Sequence, residues 1–190
     1  KIAVLYHGFC ADGLCSCIIF NKGIERLLKR KIDYNIHYTV FEITDEIIEF
    51  FKKNNITKAI FVDLSLYAKE EMIKKASETV DLLLIDHHDH KNDLNSEKII
   101  FAHSTLVNNK IKDSAYPASK LVYDLFSEIT DMKDLDWLAC LGLISDMGYE
   151  QWKEFVDKTI RKYKAKKSEK IFTSDFGIAS SNISTSKRFN

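Results

Sequence analysis

The residues best suited to chemistry are an acid and two imidazoles in direct succession, Asp86, His87 and His88. They follow the apolar run LLLI at residues 82–85, which is typical of a buried parallel strand. Two imidazoles and an acid placed directly after a buried strand have little structural use. Carboxylate and imidazole groups are, however, common ligands of divalent metal ions. The triplet therefore predicts a metal site.

Two other apolar runs also end in potential metal ligands. KIAVLY at residues 1–6 leads to His7 and then to Asp12, and AIFV at residues 59–62 leads to Asp63. Because ligands of an open α/β sheet bind outside the carboxyl ends of its strands, these side chains are expected to share one rim with the triplet. A carboxylate-rich rim with few imidazoles favours Mn²⁺ or Mg²⁺ over Zn²⁺. Two such ions would support in-line phosphoryl transfer to water.

The elements that must position these residues alternate along the first half of the chain. Strands are predicted at 1–7, 35–41, 58–62 and 81–85, with helices at 14–29, 45–53 and 69–78 between them. Thr44 is a suitable N-cap for the helix at 45–53. The alternation predicts an α/β fold, a parallel β-sheet with helices on both faces.

The second half is predicted to be mostly helical. A fifth strand is expected at 97–102, followed by helices at 117–128, 135–145 and 151–166. The last helix carries the basic run KTIRKYKAKK, which we interpret as a solvated face. Periodicity is lost beyond it.

Composition limits the partners and the compartment. The formal net charge is zero, so a phosphate-bearing partner must be bound by a local patch. The four cysteines form no C-x-x-C pair, which favours reduced thiols. Because no apolar run reaches the ~18 residues of a membrane span, we expect a cytoplasmic protein with no membrane partner. The sequence leaves a homodimer open.

Four segments in order, YHGFCADGLCS, FVDLSL, LLIDHHDH and GLISDMG, resemble the four motifs of the DHH phosphoesterase superfamily. That group includes RecJ-like single-strand exonucleases, oligoribonucleases, cyclic-dinucleotide phosphodiesterases, exopolyphosphatases and family II pyrophosphatases. The resemblance implies a catalytic domain at 1–150 and a connecting helix at 151–167. Residues 168–190 would then be a tail or the start of a substrate-binding domain, with IFTSDFGIASSNIS as its first strand.

The resemblance also implies which residues bind two metal ions, Mn²⁺ or Mg²⁺. By position in the motifs, His7 matches a ligand of the first ion. Asp12, His87 and Asp146 match ligands of the second ion. Asp63 matches the carboxylate that bridges both.

Two catalytic roles and one departure follow from the same motifs. Asp86 matches the acid beside the ligand histidine, and His88 matches the residue near the substrate phosphate. Motif one usually carries Asp-x-Asp, whereas this chain has Cys10, Ala11 and Asp12. Cys10 could bind the first ion as a thiolate, shifting its preference toward softer ions, or simply pack. The sequence leaves both interpretations open.

The function expected from these features is metal-dependent hydrolysis of phosphodiesters in short single-stranded nucleic acid or nucleotides. One alternative is a phosphoanhydride hydrolase, a pyrophosphatase or exopolyphosphatase. Such a site should be dense in Lys and Arg, and residues 7–20 contain neither. The other alternative is a catalytically silent scaffold of a replication or repair assembly, which would have lost metal ligands that this chain retains.

Overall fold

A parallel five-stranded sheet organises the described part of the chain, in the order β2-β1-β3-β4-β5. The computed structural model describes residues 1–108, 110–111 and 115–186. The strands are β1 (Ile2–His7), β2 (Tyr34–Tyr38), β3 (Lys58–Val62), β4 (Asp81–Asp86) and β5 (Ile99–His103). The predicted α/β fold is confirmed, and each predicted strand lies within three residues of its expected bounds.

Helices follow the strands and then dominate the second half. In the described ranges they are α1 (Ala11–Leu28), α2 (Asp45–Lys53), α3 (Glu70–Ser77), α4 (Ser104–Val107), α5 (Ala118–Ser127), α6 (Asp136–Ser145), α7 (Lys153–Lys162) and α8 (Asp175–Ser186). Helix α2 has the predicted bounds, and the Thr44 side chain caps it by accepting from Ile47 N. Helix α1 begins three residues before its predicted start, because Cys10 Sγ accepts from Gly13 N and caps it.

The two faces of the sheet carry separate cores. Along β1, Ala3 and Leu5 pack against α2 and α3, whereas Val4 packs in the larger cluster with α1, α5 and α6. The same alternation continues through β3, where Phe61 and Val62 lie in different clusters. This period-two pattern buries both faces, as a parallel sheet requires.

The strand order reverses direction between β1 and β3. From β1 the chain moves outward to β2, and it then returns to place β3 on the other side of β1. Helices on opposite faces therefore leave β1 and β3, and their loops separate at the carboxyl ends of these strands. Ligands of open α/β sheets bind at such a reversal.

The segment IFTSDFGIASSNIS is helical, so the expectation of a strand there is wrong. Ser174 Oγ accepts from Gly177 N at 3.1 Å and caps the start of α8. Buried positions Phe176, Gly177 and Ser180 recur at helical spacing, and Ser180 Oγ donates to Leu141 O of α6 at 2.9 Å. Because most residues of α8 are small or polar, its buried positions do not form a recognisable hydrophobic stripe in the sequence. Residues 187–190 of the expected tail lie outside the described ranges.

Candidate metal centre

The carboxyl ends of three adjacent strands bring the predicted ligands to one rim. His7 is the last residue of β1, Asp63 follows β3 directly, and Asp86 ends β4 ahead of His87 and His88. The expected shared rim is therefore present, because parallel strands with matched registers end together.

Two further acids reach this rim from helices. Asp12 lies in the first turn of α1, and Asp146 is the C-cap residue of α6. Helix α1 approaches closely because residue 13 is glycine: a Cβ there would lie 2.0 Å from His7 O. On α6, a Cβ at Gly142 would lie 2.5 Å from Asp12 Oδ1. The two glycines thus let both helices contact the site.

The first donor set lies at the end of β1 and contains His7, Cys10 and Asp63. His7 Nδ1 lies 3.5 Å from Asp63 Oδ2. Cys10 Sγ lies 3.3 Å from each of those two atoms. The set therefore combines nitrogen, sulfur and oxygen donors.

The second donor set contains Asp12, Asp63, His87 and Asp146, whose ligand atoms all lie within 4.8 Å of one another. His87 Nε2 is the centre of this set. It lies 3.2 Å from Asp146 Oδ2, 3.4 Å from Asp63 Oδ1 and 3.8 Å from Asp12 Oδ2. Oxygen and imidazole donors alone make up the set.

Asp63 belongs to both sets, with one carboxylate oxygen in each. Its Oδ2 faces His7 and Cys10, and its Oδ1 faces His87. Asp63 is 1% exposed, and its Oδ1 is buried 3.4 Å from His87 Nε2. Its backbone has φ 59°, the left-handed region that non-glycine residues seldom occupy. Such strain is typical of functional positions.

Backbone amides hold Asp12 in place. Its Oδ2 accepts from Ala118 N at 2.8 Å and its Oδ1 from Ser119 N at 2.9 Å. These amides belong to the first turn of α5, whose positive end attracts an anion. The contact was not predicted, although Pro117 marks the start of the helix in the sequence.

Asp86 organises the loop after β4. Its Oδ1 accepts from His87 N at 2.7 Å and lies 2.6 Å from His88 Nδ1, and its Oδ2 accepts from Ser65 N at 2.6 Å. Burial alone would raise the pKa of Asp86, but the hydrogen bond from His88 and the charges of both histidines hold it well below its usual range. As an anion, Asp86 therefore holds the His88 ring and the His87 backbone, and it forms a third group of possible metal donors with Asp63, His87 and His88.

The buried carboxylates favour a positive charge between them. Burial lowers the pKa of His87, yet hydrogen bonding to Asp146 and Asp63 outweighs it and raises the pKa to about 12. Burial and repulsion by Asp63 and Asp146 raise the pKa of Asp12. At an effective dielectric of 20, two carboxylate oxygens 4.8 Å apart repel by on the order of 3 kcal/mol. A divalent cation would relieve this repulsion, so charge and donor chemistry both fit a metal site.

Two residues near the site were not identified as functional from the sequence. His103 ends β5, and its Nε2 lies 2.7 Å from His88 O while its Nδ1 lies 2.9 Å from Thr105 Oγ1. Ser184 of α8 accepts from Ala11 N at 3.2 Å. The rule that ligands gather at strand ends could have identified His103. No sequence signal indicated Ser184, because α8 itself was not predicted.

Exposed aromatic rings flank the first donor set. Phe9 is 41% exposed and Phe41 is 53% exposed. Their ring centroids lie 5.9 Å and 5.6 Å from that of His7. Phe9 also packs on His37 at 4.7 Å, which orients its ring. The rim thus offers flat apolar surface beside the donors.

The fold is similar to those of three crystal structures. A manganese-bound exonuclease RecJ aligns with a TM-score of 0.60 at 17% identity, covering 84% of this chain and 43% of that one. RecJ in complex with Mn²⁺ from Thermus thermophilus gives 0.53 at 18% identity, covering 76% and 21%. CDC45 from Entamoeba histolytica gives 0.56 at 11% identity, covering 86% and 34%. The chain spans less than half the length of each.

Comparisons of the sequence with known proteins identify the family of this chain. Curated proteins give no significant match to the chain. None of the helices in the described ranges is long and apolar enough to cross a membrane. The model of the DHH family N-terminal domain matches residues 1–143. Since that match covers well over half of the sequence, the chain belongs to the DHH family.

Proposed function

We propose that this protein is a metal-dependent phosphoesterase that hydrolyses phosphodiester bonds of short single-stranded nucleic acid or nucleotides. The observation that carries the proposal is the position of Asp63, whose two oxygens belong to separate donor sets. A carboxylate in that position can bridge two ions. Membership of the DHH family and the manganese bound in both RecJ structures support the same chemistry.

Each residue of the site would have a separate role in binding or positioning the metal ions. Asp63 and His7 would hold one ion, and Asp63, Asp12, His87 and Asp146 would hold a second, preferably Mn²⁺ or Mg²⁺. Two such ions, when bound, polarise the phosphoryl oxygens and make water a stronger nucleophile. The amides of α5 keep Asp12 in position, and the strained backbone of Asp63 aims its carboxylate between the two sets.

His88 is suited to binding the substrate phosphate. Burial lowers its pKa, but the hydrogen bond to Asp86 outweighs burial and raises it. Asp86 thus favours the protonated form of the ring and fixes its position, and the His88 side chain remains 40% exposed. A positive group held in advance at this position would neutralise charge that develops on the phosphate.

Phe9 and Phe41 favour a nucleotide over an inorganic phosphate substrate. Exposed aromatic rings beside a phosphate site bind bases by stacking, at roughly 1–3 kcal/mol per base. Pyrophosphate and polyphosphate have no group that would use these rings. We further propose that residues 1–150 form the catalytic domain and that α7 lies in the segment that connects this domain to residues 168–190.

The test is a substrate panel with Mn²⁺: single-stranded di- to decanucleotides, cyclic dinucleotides, polyphosphate and pyrophosphate. Turnover of the nucleotides is expected, and Phe41→Ala should raise KM for them. Phe172→Ala, at an exposed ring on the segment that precedes α8, should leave KM unchanged. Faster turnover of pyrophosphate would favour the phosphoanhydride alternative. Metal binding without turnover of any substrate would favour the scaffold.

A further inference from the structure

Cys10 stands among metal donors, yet the function proposed above does not require it. Its Sγ lies 3.3 Å from His7 Nδ1 and 3.3 Å from Asp63 Oδ2, and those two atoms lie 3.5 Å apart. Sulfur, nitrogen and oxygen thus form a nearly equilateral triangle at the end of β1.

We propose that Cys10 binds the first metal ion as a thiolate and that this site therefore selects a softer ion, such as Zn²⁺ or Co²⁺, than the second site. The inference rests on the proposed two-metal centre. With zinc–ligand bonds of about 2.0–2.3 Å, adjacent ligands of a tetrahedral ion lie roughly 3.3–3.8 Å apart. The observed triangle has the dimensions of one face of such a tetrahedron.

The surroundings of Cys10 differ from those of a cysteine that only fills space. Cys15 and Cys17 are buried in the apolar cluster that α1 forms with the sheet, and the polar partners of Cys17 are the neutral side-chain amides of Asn21 and Asn35. Cys10 is partly exposed, and its sulfur contacts an imidazole and a carboxylate, which are both metal donors. Gly13 N donates to Cys10 Sγ at 3.3 Å, and the thiol donates to Asp63 Oδ2. These two hydrogen bonds hold the sulfur in place beside the imidazole of His7 and the carboxylate of Asp63.

Metal binding at this position exchanges a proton for the ion. Before binding, the Cys10 S–H donates to Asp63, which places the hydrogen between sulfur and carboxylate. The S–H bond breaks, the proton passes to solvent, and the sulfur electron pair forms the bond to the divalent ion. No electron transfer is involved, and the ion contacts the same three atoms that the thiol already brings together.

The second donor set provides an internal contrast. Asp12, Asp63, His87 and Asp146 offer only carboxylate and imidazole groups. Hard donors of this kind suit Mn²⁺ or Mg²⁺, whereas thiolate favours Zn²⁺ and its neighbours. The two halves of the centre are therefore chemically unlike and should select different ions from a mixture.

The decisive experiment is a titration of the metal-free protein with Co²⁺, followed by near-ultraviolet absorption. A thiolate bound to Co²⁺ gives an intense charge-transfer band, which should saturate at one equivalent in the wild type. Cys10→Ser should lose the band, and Cys10→Asp should lose it while still binding two ions. Cys17→Ser is the matched control, since Cys17 lies on the same helix away from the donors, and it should keep the band. Circular dichroism checks that each variant is folded.

Two results would overturn the proposal. One is a wild-type protein that binds two Co²⁺ ions without the band, and the other is a Cys10→Ser variant that retains it. In either case, hydrolysis by the two-ion protein would leave the proposed function standing. Absence of any metal binding would instead refute both the thiolate ligand and the two-metal centre.

Discussion

Replacing the shared carboxylate is the most direct perturbation of the proposed centre. Asp63→Asn keeps the shape of the side chain and tolerates the left-handed backbone at φ 59°, where alanine would cost about 1–2 kcal/mol. The amide cannot bridge two ions as an anion. We therefore expect the variant to fold, to lose tight metal binding at both donor sets, and to lose at least about 99% of hydrolysis, a loss of roughly 2.7 kcal/mol of transition-state stabilisation.

The size of the effect on stability follows from mass action. At a metal concentration 100 times Kd, one site stabilises the folded state by about 2.7 kcal/mol. For a chain of this size, each kcal/mol shifts Tm by about 2–4 °C. Mn²⁺ should therefore raise the wild-type Tm by about 5–11 °C per occupied site, and Asp63→Asn should show almost none of this shift.

The assay is a series of melting curves between chelator and millimolar Mn²⁺, with hydrolysis measured on the same samples. Asp131→Asn is the control, because the side chain of that exposed acid accepts from Lys133 N and lies outside both donor sets. The bridging role of Asp63 is refuted if Asp63→Asn keeps half of the Mn²⁺-induced shift in Tm or a tenth of the wild-type hydrolysis rate. A wild-type Tm that is the same in chelator and in millimolar Mn²⁺ would refute the metal centre itself.

Three other variants test separate parts of the site. His87→Ala should abolish hydrolysis and reduce bound Mn²⁺ from two ions to one, by metal analysis of folded protein; more than a tenth of the wild-type rate would contradict this role. The depressed pKa of Asp86 means that its contribution to stability is present above about pH 4, near the ordinary value of 3.8, and is lost as pH falls through the lower folded pKa. Asp86→Asn should therefore flatten the acid side of the stability profile in chelator, and an unchanged slope would count against the interpretation. Ser184→Ala should weaken Mn²⁺ binding by roughly tenfold or less, measured by calorimetry, while the exposed Ser181→Ala leaves it unchanged.

The effect expected at Ser184 comes from its position between two ligand-bearing segments. Its Oγ accepts from Ala11 N, between Cys10 and Asp12, and lies 3.4 Å from Ser145 Oγ, next to Asp146. Removing the hydroxyl leaves both segments folded but removes the hydrogen bonds that Ser184 makes to them. A loss of metal affinity without a matching loss of Tm would separate positioning from general stability.

Much of the architecture could be predicted from local patterns. Apolar runs of four to six residues predicted the positions of β1, β3 and β4, because a strand that is buried on both faces is continuously hydrophobic. The Thr44 cap and the apolar stripe behind it fixed α2 to the residue. Helix α8 was missed because its buried stripe consists of small and polar side chains, which bury little area but fit closely against α6.

The sequence by itself therefore determined which chemical groups gather at the carboxyl edge of the sheet. Each of His7, Asp63 and Asp86 comes directly after the apolar run that forms its strand. Only the tertiary structure decided how those groups are arranged. The left-handed backbone at Asp63, the amides of α5 on Asp12 and the approach of Asp146 all depend on contacts between residues distant in the chain. Short-range hydrophobic patterns record where a strand ends, whereas the direction in which a side chain points is set by packing among helices that no local pattern describes.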